Sequence, residues 1–73
     1  MSERQKNIIE YVVACVAEFA KSHKLNNTDA YNYLQKFNGI SFLEESYDVE
    51  HTFSIDDTVI HLAIVCNNNG GTY

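Results

Sequence analysis

The stretch from Gly39 to Gly71 limits what this chain can become more than any other, because it marks two helix starts and two helix ends. Ser41-x-x-Glu44 has the spacing of a capping box, whose two side chains satisfy amides that a first helical turn leaves unbonded. Ser54, followed by Asp56 and Asp57, sets a capping hydroxyl ahead of two carboxylates, which the positive end of a helix favours. Asn38-Gly39 and Asn67-Asn68-Asn69-Gly70-Gly71 supply residues on which helices commonly stop. No proline interrupts any segment, which suits helices and argues against a loop-rich scaffold.

Short length sharpens the constraint. The 73 residues form one domain, 1–73, and a chain of this size buries only about 60% of its unfolded surface. With no disulfide framework or metal cluster in view, stability must come from closely packed helices or from a partner. An apolar fraction of 45% speaks against disorder. Ten acidic residues against five basic ones leave a net charge of −5. Nucleic-acid backbones and anionic membranes both select for Lys and Arg, so neither is an expected partner, whereas a basic protein surface fits the sign. The polar opening Ser2-Glu3-Arg4-Gln5-Lys6 is no signal peptide, and no apolar run reaches the roughly 18 residues of a membrane span. The expected location is the cytoplasm.

A first helix is predicted from Ser2 or Glu3 to Ser22, with Ser2 and Gln5 as its capping box. At about 100° per residue, Ile9, Val12, Val13, Val16, Phe19, Ala20 and His23 share one arc, the expected core stripe. Ile8, Tyr11 and Cys15 extend the apolar zone round one flank, beyond what a single neighbour can cover. A second helix follows the turn at Leu25-Asn26-Asn27-Thr28-Asp29, capped by Asn27 or Thr28, and buries Ala30, Tyr33, Leu34 and Phe37. It ends at Asn38-Gly39, with Gly39 in the left-handed cap and Ile40 in the contact that often follows.

A short third helix opens at Ser41 and runs through Phe42 and Leu43 to Tyr47. Asp48 to Phe53 reads as a loop or a brief extended piece. The last helix is capped by Ser54, and Ile55, Val59, Leu62 and Cys66 step along one seam. Thr58 to Val65 is rich in β-branched residues, as a buried strand would be, but the caps before it and the glycines after it favour helix. The expected fold is all-α, a small bundle of three to four helices.

Chemistry is sparse. The three histidines and two cysteines show neither a Cys-x-x-Cys pair nor a His-x-x-x-His face, so no metal or cofactor is expected. Cys15 and Cys66 sit inside apolar helical patterns and read as free buried thiols. Asp56 and Asp57 point about 100° apart on a helix and do not converge on one substrate atom. Ser54 beside His51 is a cap rather than a nucleophile. No catalytic set emerges, and the chain reads as a non-enzyme. The second and third helices, joined by a glycine turn, admit a helix-turn-helix reading. Against it, Glu44, Glu45, Asp48 and Glu50 would repel a phosphate backbone.

The positive signal is excess apolar surface. Ile60 and Ile64 project opposite the Ile55–Leu62–Cys66 seam, so the last helix is apolar on two sides. Such a helix is either central to its bundle or shared with another chain, which brings self-association into view.

Phe37-Asn38-Gly39-Ile40, Phe42-Leu43, Tyr47-Asp48-Val49-Glu50-His51-Thr52 and Asn68-Asn69-Gly70-Gly71 resemble a family of small bacterial domains of unknown function over nearly the whole chain. Members of that family are often encoded beside a larger protein similar to ADP-ribosyltransferase toxins. The resemblance implies a toxin–antitoxin-like pairing in which the small acidic protein is the binding partner, and it supplies no catalytic residues. The expected function is a non-enzymatic interaction module. Its expected surface combines Tyr47, Glu50, His51, Asp56 and Asp57 with an apolar patch around Ile60 and Ile64. A small helix-turn-helix-like transcriptional regulator is the alternative.

Overall fold

The structure is a computed structural model that describes residues 1–73. It is all-helical, with α1 at Glu3–His23, α2 at Asn27–Lys36, α3 at Gly39–Glu45, a single turn α4 at Tyr47–Glu50, and α5 at Ile55–Asn68. No helix is long and apolar enough to cross a membrane.

Capping explains most of these limits. Ser2 Oγ accepts from the Gln5 amide at 3.1 Å, and Gln5 Oε1 accepts in return from the Ser2 amide at 3.4 Å. α1 ends where Lys24 turns left-handed at φ 58°, and the Leu25 amide reaches back to the Ala20 carbonyl at 2.8 Å. That stop uses so few residues that α2 starts sooner than expected. Asn26, not Asn27 or Thr28, is its cap, with Oδ1 accepting from the Asp29 amide at 2.7 Å. Ser54 caps α5 as expected, accepting from the Asp57 amide at 3.2 Å.

The α2–α3 junction departs from the sequence reading. Asn38, not Gly39, adopts the left-handed conformation, with φ 69°. Its side-chain amide donates to Asn69 Oδ1 at 2.9 Å, tying this corner to the end of α5. Gly39 serves a different need, close approach: a Cβ there would stand 2.8 Å from Leu34 Cδ2 and 3.2 Å from the Leu34 carbonyl oxygen. Because one left-handed residue returns the chain directly to helix, α3 begins at Gly39 and Ser41 lies inside it. The expected Ser41–Glu44 capping box therefore does not form. Asp48 and its neighbours are not extended either. Backbone bonds from Glu50 to Ser46 at 2.8 Å and from His51 to Tyr47 at 3.0 Å close the α4 turn.

The core lies where α1 meets α2, α3 and α5. Cys15, Phe19, Leu34, Leu43, Leu62 and Cys66 are all fully buried. Both thiols are free. The Val59–Leu62–Cys66 seam faces inward as its spacing predicts, and burial there outweighs the modest helix penalty of β-branched residues. α1, however, is rotated from the expected stripe. α5 takes the Tyr11–Cys15 flank, so Cys15 is buried while Ile9 and Val13 remain 49% and 63% exposed.

This division of faces predicts an asymmetric response to truncation. Leu62→Ala should destabilise by about 2–5 kcal/mol, the usual range for an emptied core site. Ile60→Ala, two residues away, should stay within about 0.5 kcal/mol. Urea unfolding followed by circular dichroism measures both; equal losses would place Ile60 in the core.

Candidate functional site

The expected surface divides at the junction of α4 and α5. Its anchor is Tyr11 on α1, whose hydroxyl lies 3.1 Å from Oγ1 of the fully buried Thr58 on α5. The Tyr47 ring meets the Tyr11 ring edge-on at 5.4 Å. His51, one turn later, stacks on Tyr47 at 4.5 Å and 11°. Its Nδ1–H donates to the Tyr47 carbonyl at 2.6 Å, which leaves Nε2 as the ring's free acceptor. The Arg4 guanidinium lies 5.8 Å from the Tyr47 ring centroid. It also grips Asp48 through two bonds of 2.8 and 3.2 Å. This contact holds the Asp48 carboxyl below its ordinary range and lifts Arg4 above its own. Arg4, Tyr11 and Asp48 were missing from the expected set, and a pairing 44 residues apart leaves no local signal in the sequence.

Glu50 departs from the expectation of a surface carboxylate. It is only 6% exposed, and Oε1 accepts from Nδ1 of His61 at 2.7 Å. Phe53 packs edge-on against the same imidazole at 5.3 Å. The physical reason is α4 itself: a helical turn, unlike a loop, swings residue 50 towards α5 and leaves 48, 49 and 51 outside. Glu50 therefore links the two halves of the surface from beneath. Asp56, Asp57, Ile60 and Ile64 do lie on the outside of α5, with the isoleucines 59% and 53% exposed. Tyr47 is half-buried and His51 exposed.

A second apolar surface runs along α1 and α2. Val12, Val13, Val16, Thr28 and Tyr31 line a groove enclosing about 360 Å³. It continues past Ile8, Ile9 and Ile40 to the exposed carboxylate of Glu44. The four-residue step from Ile9 to Val13, part of the expected core stripe, lies on this surface instead.

The titratable groups say little about catalysis. Burial pushes both the Cys15 and Cys66 thiols up, which keeps them neutral and weakly nucleophilic. No three His, Cys, Asp or Glu side chains converge as metal ligands would. Burial also pushes Tyr11 from its ordinary 10.0 up to about 12. The folded state thus resists losing this proton more than the unfolded chain does. The stabilisation is complete below pH 10.0 and is lost as pH rises through about 12. Thermal melts across that window should fall more steeply for the wild type than for Tyr11→Phe; parallel curves would mean that Tyr11 ionises as freely folded as unfolded.

No curated protein and no solved structure matches the chain. Residues 10–69 match the family model described as Protein of unknown function (DUF3791), a span that takes in the core of α1 and all of α2 to α5. The chain belongs to that family.

Proposed function

We propose that this chain is a non-enzymatic protein-interaction module, an antitoxin-like partner of a toxin encoded beside it. One observation carries the proposal: Ile60 and Ile64 stand 59% and 53% exposed on a helix whose opposite face already fills the core. Burial of a branched aliphatic side chain yields about 1.5–3 kcal/mol, and this pair is left for another molecule to cover. Asp56 and Asp57 precede the isoleucines on α5, and Tyr47 of α4 and His51, just beyond it, present an aromatic stack. Apolar anchors beside free carboxylates suit a partner that brings its own apolar patch and a rim of Lys or Arg. The net charge of −5 adds long-range attraction for such a surface. The resemblance to domains encoded beside ADP-ribosyltransferase-like toxins names the partner to try first. Glu44 and Glu45 on α3 weigh against the regulator reading, since they would face phosphates.

Co-expression with the product of the adjacent gene tests the proposal. The two proteins should co-purify, and Ile60→Asp with Ile64→Asp should weaken the complex at least about tenfold, a loss of one central anchor or more. Helicity should be unchanged. An intact fold that leaves the neighbouring protein uncaptured would refute the pairing.

A further inference from the structure

The groove on α1 and α2 has a more specific chemistry than the face of α5. It follows α1 from Gln5 to Val16, about 17 Å at the rise of an α-helix, or three turns of an occupant. Its floor is aliphatic, with Ile8, Ile9, Val12 and Val13 on one wall and the half-exposed Tyr31 ring on the other. Glu44 is the one carboxylate in its lining, and no basic side chain joins it there. Glu44 takes part in no ion pair: the pairs in the structure are Arg4–Asp48 and His61–Glu50. The far end, at Asn27, Thr28 and Asn32, is polar and uncharged.

We infer that this groove binds an amphipathic helix of another protein. The occupant would carry aliphatic anchors at i, i+4 and i+7 and a Lys or Arg that meets Glu44. The inference rests on the interaction-module reading and gives it a second, separately testable surface. Helix-in-groove docking uses this combination of apolar floor and charged rim. A second copy of the chain fits poorly. Its apolar α5 face carries Asp56 and Asp57 with no Lys or Arg, and its one histidine, His61, is already bonded to Glu50, so docking would set carboxylates near Glu44. Two α1 helices paired antiparallel about the midpoint of the exposed Ile9 and Val13 would place Glu44, which lies beside residues 5–9, opposite residues 13–17 of the second copy, none of them basic. Paired parallel, they would bring the two Glu44 side chains together. A helix with an aliphatic face and a basic end satisfies both the floor and the rim.

The test uses two designed helical peptides of about 16 residues. Both carry leucine at i, i+4 and i+7 on an alanine-rich frame. One has lysines at the end facing Glu44, and its twin has glutamates there. Titration into isotope-labelled protein should move the resonances of Val12, Val13 and Tyr31, with the lysine peptide binding about fivefold tighter than its twin. Glu44→Lys should reverse that order, and Val13→Asp, at a largely exposed position, should abolish binding without loss of helicity. The inference fails if neither peptide saturates, if both bind equally, or if the shifts fall on Ile60 and Ile64. It fails equally if sedimentation reveals a dimer that Val13→Asp dissolves, because a second copy would then own the groove. Should the peptides behave as stated while the neighbouring gene product is not captured, the toxin partner falls and the groove stands. The converse removes the groove alone.

Discussion

Everything in this small domain depends on how α5 lies against α1. One face of α5 gives Val59, Leu62 and Cys66 to the core, and α1 answers with Cys15, Val16 and Phe19. A buried hydroxyl in that contact would be unfavourable if unpaired, and the Tyr11–Thr58 bond removes the penalty. No buried side-chain polar atom in the structure lacks a partner. Once α5 is seated this way, the outward direction of Ile60 and Ile64 is no longer a choice. The same seating rotates α1 so that Ile9 and Val13 leave the core. Two apolar surfaces, one on α5 and one along α1, thus follow from one packing decision.

Much of the fold was legible where the signal is local. Ser2–Gln5 and Ser54–Asp57 are recognisable because a cap and its amide lie three residues apart. The α5 seam is recognisable because its period holds for three turns. Where a residue's role depends on a distant element, no local pattern discloses it. Gly39 looked like a left-handed cap, yet it is Leu34 above it that requires the missing Cβ. Asn38 took the left-handed position, with Asn69 from the far end of the chain as its partner. Ile9 and Val13 share an arc with Val16 and Phe19, and only the placement of α5 decides which part of that arc is covered. Glu50 looked like one more surface acid because nothing nearby in sequence discloses His61 eleven residues on.

The candidate surface was legible in part, for the same reason. Asp56, Asp57, Ile60 and Ile64 are exposed as their helical positions require. Tyr47 and His51 form a stack that an extended Asp48–Phe53 segment would not have prepared. The groove beside Tyr31 leaves no mark in the sequence, since α1, α2 and α3 form it together and no one of them does so alone. What unites the two surfaces is an acidic, compact helical domain that keeps aliphatic side chains outside. The grouping of these exposed side chains on one helix face and in one groove is what the proposed interaction rests on.

Both surfaces therefore rest on how the isolated chain sorts its aliphatic side chains between core and exterior. Methyl-labelled Ile, Leu and Val residues, observed by NMR with an inert paramagnetic cosolute, report that sorting directly. The methyls of Ile9, Val13, Ile60 and Ile64 should broaden strongly, while those of Val16, Leu34, Leu43 and Leu62 stay sharp. Protection of Ile60 and Ile64 together with broadening at Leu62 would mean that α5 is seated on its other face, and the account would be wrong.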